Sequence, residues 1–114
     1  MNVGDSAEAT YQSFLKFMGM IRADFPEIEV YIILVNPSPT TYGDRLRDKT
    51  IKYNDYLRSY LNEDDKAFII DMTEGLADGI TPIPEMWDAT NHLSKAGYDV
   101  FTNYIREALG LSAL

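Results

Sequence analysis

Apolar residues recur at helical spacing in two stretches of the chain, Glu8–Phe25 and Asp44–Leu61. In both stretches they stand three or four residues apart with polar residues between them, which is typical of amphipathic helices. Pro26 ends the first stretch, and Ser6 is its expected N-cap because a serine hydroxyl can accept a hydrogen bond from the first turn. The faces expected to be buried are Tyr11, Phe14, Leu15, Met18, Ile21 and Phe25 in the first helix, and Leu46, Tyr53, Leu57, Tyr60 and Leu61 in the second.

Two short apolar runs, Val30–Val35 and Ala67–Ile70, each follow one of these helices. They are rich in β-branched and aromatic residues and show no polar alternation, which is typical of strands buried on both faces of a parallel sheet. Asp71 stands at the carboxyl end of the second run. The order of helices and strands predicts an α/β fold whose parallel strands are joined by a right-handed crossover.

The last third of the chain combines a long loop with a third amphipathic helix. Gly75–Asn91 is rich in glycine and proline and is expected to be loop. Ser94 is the expected N-cap of the helix and Gly110 its stop. The face expected to be buried consists of Tyr98, Phe101, Ile105, Ala108 and Leu109.

The size of the chain fits one domain, but the number of strands is small. Its 114 residues and 46% hydrophobic content suit a single globular domain over residues 1–114. Two strands make a marginal sheet whose edges are unpaired. We therefore expect the sheet to be incomplete in this chain, and to be completed by self-association into a homo-oligomer, by a partner, or by a missing amino-terminal portion.

Composition excludes several classes of function. The 18 acidic residues outnumber the 10 basic ones and the net charge is -8, so nucleic acid and anionic membranes are not expected partners. There is no cysteine and only one histidine, which excludes disulfides, a thiolate nucleophile and multi-histidine or cysteine metal sites. No cofactor or metal is expected. Five aspartates do not match the spacing of a calcium loop and are interpreted as a solvated face: Asp44, Asp48, Asp55, Asp64 and Asp65.

No targeting or membrane segment is apparent in the sequence. Val30–Val35 is the longest purely apolar run, far short of the roughly 20 residues that span a bilayer. Met1–Asp5 lacks the basic and apolar layout of a signal peptide. A soluble, cytoplasmic chain without an export address is therefore expected.

His92, the only histidine, lies just before the last predicted helix. A histidine can act as a general base on a hydroxyl nucleophile, and a nearby carboxylate can orient its ring. A surface histidine without a catalytic role is the alternative. Trp87, close by in the sequence, could line an acyl or sugar pocket or could cover a small core.

The stretch Asp88–Tyr98 resembles the last conserved block of the SGNH (GDSL-type) esterases and lipases, because an aspartate precedes His-Leu-Ser and then Ala-Gly-Tyr in a terminal helix. Further family-like features occur in order over nearly the whole chain: Phe25-Pro26, Asn36-Pro37-Ser38-Pro39, Asn54 and Ile70-Asp71. The resemblance implies a three-layer α/β/α, flavodoxin-like sandwich with a parallel sheet. It also implies hydrolysis of esters by a serine nucleophile, without a cofactor.

In residue terms, the resemblance assigns the general base to His92. The family's aspartate stands three residues before this histidine, a position that Ala89 occupies here, whereas Asp88 is one residue further away. Asp88 is the candidate for the acid that orients the base.

Ser6 belongs to a Gly4-Asp5-Ser6 sequence that looks like the family's nucleophile block. However, only Met1–Val3 precede it, where the family has an apolar strand, and a helix cap accounts for this serine. The chain thus resembles the carboxyl-terminal portion of an SGNH hydrolase for a small ester, such as an acylated carbohydrate. It has the base, lacks the nucleophile, and should be nearly inert alone. The alternatives are a non-catalytic α/β binding or assembly module that dimerises through sheet edges, and a minimal esterase that uses Ser6.

Overall fold

The computed structural model describes residues 6–36, 41–79, 81–88 and 92–114, and for 41–45 the backbone alone. Gly4, Asp5, Pro37, Pro39 and Ala89, named above, lie outside the described residues. The helices are α1 (Ala7–Asp24), α2 (Thr41–Tyr60), α3 (Thr73–Leu76) and α4 (Lys95–Ala108), with a 3-10 turn at Pro84–Met86; the strands are β1 (Val30–Ile33), β2 (Ala67–Ile70), β3 (Ala77–Asp78) and β4 (Thr81–Pro82).

The two predicted strands pair in parallel, as expected from the order of the elements. Val30 of β1 is in register with Ala67 of β2, and Ile33 with Ile70. Within the described ranges this sheet has two strands. The mixed helix and strand order around a small parallel sheet is that of an α/β fold.

Helices α1 and α2 cover one face of the sheet. Met18 of α1 and Leu57 of α2 are each 2% exposed. They pack with Ile32 of β1 and with Leu34, which follows β1 and lies on the same face of the sheet. The residues packed around them include Tyr11, Phe14, Leu15, Ile21, Tyr53 and Tyr60, as the helical pattern predicted. Phe25 was expected in this face but is exposed, because α1 ends at Asp24 and the chain turns away from the core there.

The opposite face of the sheet packs against α3 and α4. Met72 and Leu76 are fully buried and form a second core with Ile70. Partly buried side chains around it are Tyr31, Met86, Trp87, Leu93, Val100, Phe101, Tyr104 and Ile105. Tyr98, Ala108 and Leu109 were predicted to be buried but are exposed. The helix presents Val100 and Tyr104 to the core instead, so its buried face is rotated from the predicted one.

The prediction that both strands are buried on both faces is wrong for this second face. Ile33, Val35 and Phe68 are 38%, 37% and 37% exposed. Helix α4 contacts β2, and Tyr31 is the β1 residue that packs against the second core. Part of the apolar face of β1 is therefore left open to solvent.

A network around Asp64 joins the helices to the amino ends of the strands. Arg22 donates to its carboxylate from Nε and Nη2 at 2.8 and 3.1 Å, and Tyr60 donates from its hydroxyl at 2.8 Å. The Arg22 guanidinium holds the pKa of Asp64 below its usual range, whereas burial and the hydrogen bond to Asp64 raise the pKa of Tyr60 to about 12. Asp64, with a side chain only 9% exposed, is thus an anchor and not part of a solvated face.

The predicted caps Ser6 and Ser94 and the predicted stop Gly110 are confirmed, whereas α2 begins at Thr41 and not at Asp44. The hydroxyl of Ser6 accepts from Ala9 N at 3.0 Å, and that of Ser94 accepts from Gly97 N at 3.2 Å. At the end of α4, Gly110 has φ +73° and donates to Glu107 O. Leu111 N also donates back into the helix, which together forms a Schellman motif.

The region expected to be one long loop, Gly75–Asn91, contains secondary structure. It includes the end of α3, the antiparallel β3–β4 hairpin, and the 3-10 turn. Gly79 takes φ +64° at the hairpin turn, a backbone conformation that glycine adopts without strain. No helix among the described residues is long and apolar enough to cross a membrane.

Candidate functional site at the carboxyl edge of the sheet

Asn54 of α2 holds the chain where it leaves β1. Its Oδ1 accepts from Val35 N at 3.0 Å, and its Nδ2 donates to Val35 O at 2.8 Å. The side-chain amide thus pairs with both backbone groups of one residue, as the next strand of a sheet would. Asn54 is 8% exposed, so its side-chain amide is buried.

Asn36 follows directly at the carboxyl end of β1. Its Oδ1 is buried and has no hydrogen-bond partner among the residues that the structure describes. A buried polar atom is usually paired, and the amide lies at the edge where ligands bind in parallel α/β sheets.

Asp71 is the first residue after β2, at the same edge of the sheet. Its Oδ1 accepts from Thr73 N at 3.0 Å, and its Oδ2 accepts from Arg58 Nη2 at 3.2 Å. Burial alone would raise the pKa of Asp71, but the hydrogen bonds from Thr73 and Arg58 outweigh it and lower this pKa. Asp71 is therefore a fixed carboxylate that is ionised at neutral pH.

Backbone hydrogen bonds hold the base of the loop that carries His92. Trp87 and Leu93 form an antiparallel bridge, and Asp88 N donates to His92 O at 2.9 Å. Below this bridge, Ser94 donates from its hydroxyl to Glu85 O at 2.6 Å. The backbone around residues 88 and 92 is thus held by hydrogen bonds on both sides.

His92 and Asp88 are brought together by this loop. The distance from His92 Nδ1 to Asp88 Oδ2 is 3.8 Å, with side chains 75% and 46% exposed. A carboxylate beside Nδ1 can orient the imidazole and leave Nε2 for proton transfer. The distance exceeds a hydrogen bond, so the pair would have to close by about 1 Å to form one.

Gly97 allows α4 to begin close to this loop. A Cβ at this position would lie 2.0 Å from Met86 O, and the same carbonyl accepts from Ser94 N at 3.0 Å. The absence of a side chain therefore lets the first turn of α4 press against the 3-10 turn, which sets the position of the His92 loop.

Trp87 has a structural role in this arrangement. Its indole Nε1 donates to Leu76 O at 3.1 Å, and its ring packs against the core formed by Ile70, Met72 and Leu76. Of the two interpretations made from the sequence, a cover over a small core is the one that these contacts show.

Ser6 is engaged in the first turn of α1. Besides the cap to Ala9 N, its carbonyl accepts from Thr10 N and from the Thr10 hydroxyl. The carboxyl-terminal end of α1 lies at the amino ends of the strands, because Arg22 donates to Lys66 O just before β2. Ser6 therefore lies toward the carboxyl edge of the sheet, but no hydrogen bond of the described residues joins it to His92.

An open cleft lies beside the end of β2. Its volume is about 710 Å³, and its lining residues are Asp71, Thr73, Glu74, Ala77, Asp78, Gly79 and Ile83. Ile83 N and Trp87 Nε1 both donate to Leu76 O. The carbonyl oxygen of Leu76 therefore binds both Ile83, which lines the cleft, and Trp87, which stands at the base of the His92 loop.

The sequence singled out both Asn54 and Asn36 but assigned a role to neither. The position of Asn54 could have indicated its role. It stands between Tyr53 and Leu57 on the apolar face of α2, where a polar side chain needs a hydrogen-bond partner. Among the described residues, no three histidine, aspartate or glutamate side chains cluster as a metal site would require.

Comparison with known proteins places these features in a family. The profile of the GDSL-like Lipase/Acylhydrolase family matches residues 1–100. No curated protein matches the chain. The match covers the sheet, the end of β1 with Asn54, and the His92 loop, so the chain belongs to the GDSL-like lipase/acylhydrolase family.

Proposed function

We propose that this chain carries the base side of an SGNH-type ester hydrolase, with His92 as general base and Asp88 as the residue that orients it. The observation that supports the proposal is the distance of 3.8 Å between His92 Nδ1 and Asp88 Oδ2, in a loop whose base is held by backbone hydrogen bonds. In the reaction, His92 takes the proton of a serine hydroxyl as that oxygen attacks the ester carbonyl. It then gives the proton to the departing alcohol.

Ser6 is not the nucleophile in this proposal. Its hydroxyl oxygen caps α1, and replacing such a cap costs about 1 kcal/mol of stability. The nucleophile is a serine other than Ser6, supplied by a segment or chain that completes the site. Without it the chain alone turns over esters slowly, because loss of a triad member costs several orders of magnitude in rate.

A small, uncharged ester is the substrate class that the surroundings favour. The cleft beside the end of β2 is lined by three carboxylates and two apolar side chains. They are Asp71, Glu74 and Asp78, and Ala77 and Ile83. Carboxylates repel anionic groups and accept hydrogen bonds from hydroxyls. An acylated carbohydrate fits this lining better than an anionic ester does.

The test uses the fact that the chain has a single histidine. Hydrolysis of p-nitrophenyl acetate is measured for the wild type and compared with free imidazole at equal concentration. We expect a rate above that of imidazole, its loss in His92→Ala, and a several-fold loss in Asp88→Asn. Asp99→Asn is the matched control, because Asp99 is also half exposed and pairs with Lys95 elsewhere on α4. An unchanged rate in His92→Ala would overturn the assignment of the base.

A fluorophosphonate probe, followed by mass spectrometry, tests the nucleophile. We expect no label on Ser6, and Ser6→Ala should lower thermal stability without changing hydrolysis. Label on Ser6 that disappears in His92→Ala would instead show a minimal esterase.

The second candidate is a non-catalytic α/β assembly module. The observation that favours it is the two-stranded sheet with its exposed Ile33, Val35 and Phe68. A wild-type rate no higher than that of free imidazole, and unchanged in His92→Ala, would support this candidate and overturn the hydrolase proposal.

A further inference from the structure

Ser94 makes two hydrogen bonds with one hydroxyl group. Its Oγ accepts from Gly97 N at 3.2 Å, which is the cap of α4, and the same hydroxyl donates to Glu85 O at 2.6 Å. A hydroxyl can do both because it has one donor hydrogen and two acceptor lone pairs. Ser94 therefore joins the start of α4 to the 3-10 turn at Pro84–Met86.

A helix cap does not require the second of these bonds. Capping needs only an oxygen that accepts from the first turn. Ser6 caps α1 in this way, by accepting from Ala9 N, and its hydroxyl donates to none of the residues that the structure describes. The bond from Ser94 to Glu85 therefore adds something to the cap.

The added bond joins the two arms of the His92 loop. Glu85 lies on the arm that leads to Asp88, and Ser94 lies on the arm that follows His92. Backbone hydrogen bonds join the same arms from Asp88 N to His92 O at 2.9 Å and from Ser94 N to Met86 O at 3.0 Å. The bond to Glu85 continues this series one residue further from the tip of the loop. The Ser94 hydroxyl thus extends the pairing of the arms to the first turn of α4.

Gly97 limits the position of α4 from the opposite direction. A Cβ at Gly97 would lie 2.0 Å from Met86 O, so the first turn of α4 is already in close contact with the 3-10 turn and cannot approach it further. The bond from Ser94 to Glu85 opposes movement away from the turn. Together the two contacts fix the distance between the arms at their base.

The relative position of the two arms affects how Asp88 meets His92. Asp88 is on one arm and His92 is on the other, and Asp88 Oδ2 lies 3.8 Å from His92 Nδ1. Because both side chains are exposed, a shift of either arm is passed on to this distance. A misplacement of about 1 Å can cost about a hundred-fold in rate. The base of the arms is therefore a place where a distant bond can control the pair.

We propose that Ser94 is a positioning residue of the hydrolase site, and that its hydrogen bond to Glu85 holds the arm with Asp88 against the arm with His92. This inference rests on the proposed function of His92 and Asp88. Ser94 is not a catalytic residue, since its hydroxyl is used by Glu85 and Gly97. It holds the arms so that the carboxylate of Asp88 can close onto Nδ1 of His92 when substrate binds, as catalytic hydrogen bonds often do.

Two matched serine variants test the role of the bond. The readout is the part of p-nitrophenyl acetate hydrolysis that His92→Ala removes, measured at a temperature where all variants are folded. Ser94→Ala and Ser6→Ala each remove a helix cap, so both should lower the melting temperature. Only Ser94→Ala also removes the bond to Glu85, and we expect it to lower the His92-dependent rate several-fold, by no more than Asp88→Asn does. Ser94→Thr keeps the hydroxyl and should retain the rate. An unchanged rate in Ser94→Ala, or an equal loss in Ser6→Ala, would overturn the proposal.

Ser94→Asp separates the cap from the bond to Glu85. A carboxylate can accept from Gly97 N but cannot donate to Glu85 O, and aspartate is a good N-cap. We therefore expect the melting temperature to be retained and the His92-dependent rate to fall as it does in Ser94→Ala. A rate equal to that of the wild type would show that the cap alone matters.

A double-mutant cycle shows whether Ser94 acts through Asp88. If it does, adding Ser94→Ala to Asp88→Asn should cause little further loss of rate, because substitutions that disturb one interacting pair are not additive. Losses that multiply in full would show that Ser94 acts apart from Asp88 and would overturn the positioning role.

A further readout does not depend on hydrolysis, because the chain has a single histidine. The Cε1–H proton of His92 therefore gives one NMR resonance, which reports the surroundings of the ring. This resonance should move in Asp88→Asn and in Ser94→Ala, and should stay in place in Ser6→Ala. A resonance that does not move in Ser94→Ala would overturn the positioning role even without turnover. Hydrolysis that is unchanged in His92→Ala would instead overturn the proposed function.

Discussion

Replacing Asn54 by leucine removes the pairing that holds the end of β1 while keeping the number and branching of the side-chain heavy atoms. Two hydrogen bonds are lost, each contributing about 1 kcal/mol net, and two Val35 backbone groups lose their partner. Val35 is 37% exposed, so water can reach these groups in part. We expect Asn54→Leu to lower the free energy of unfolding by about 2–4 kcal/mol.

The measurement is urea denaturation followed by circular dichroism at one fixed protein concentration, because association would add to apparent stability. The midpoint should fall while the slope m stays constant, as expected for a native-state change. Asn62, in the exposed turn after α2, provides the control: Asn62→Leu should change stability by less than about 0.5 kcal/mol. A loss that small in Asn54→Leu would refute the reasoning.

Asn54→Asp separates the two hydrogen bonds by pH. The carboxylate can still accept from Val35 N, but it can donate to Val35 O only when protonated. Folding therefore favours the protonated form and raises the pKa of this group above its unfolded value. Its stabilising effect is present at low pH and is lost as the pH rises through the raised value. The stability difference from the wild type should thus grow from acid to neutral pH, and a pH-independent difference would contradict the two-bond geometry.

Two further predictions concern charge and packing. The lowered pKa of Asp64 means that its contribution is present above the unfolded pKa and is lost as the pH falls through the folded one. Asp64→Asn should accordingly destabilise the protein at about pH 7 and much less near about pH 3, as measured by urea midpoints; equal losses at both would contradict an anchoring carboxylate. Gly97→Ala should lose about 2–4 kcal/mol, because its Cβ would overlap Met86 O. Gly19→Ala, where no atom lies within 4 Å, should gain up to about 1 kcal/mol in a helix interior; thermal melts that reverse this order would contradict the packing.

The local elements of this protein follow from short-range chemistry. Ser6 and Ser94 cap helices because a hydroxyl reaches an N–H three residues ahead, and Gly110 ends one because it tolerates a positive φ. The strands β1 and β2 could be predicted for a similar reason, since β-branched residues favour an extended backbone. The His92 loop could be recognised because Asp88–Tyr98 resembles the last conserved block of the SGNH esterases.

Long-range contacts decided the rest. Phe25 and Tyr98 match helical periodicity, yet both are exposed, because burial depends on which element lies opposite. Asp64 looked like a surface carboxylate until Arg22, 42 residues away, was seen to bind it.

The sequence by itself determined the three long helices, the caps Ser6 and Ser94 and the two strands β1 and β2, since these depend on residues a few positions apart. Only the tertiary structure decided that Asp88 Oδ2 lies 3.8 Å from His92 Nδ1 and that Asn54 pairs with the backbone of Val35. The reason is physical: hydrogen-bond partners 19 residues apart, such as Asn54 and Val35, meet only when a helix packs on a sheet at one angle and depth, and no local pattern encodes that position.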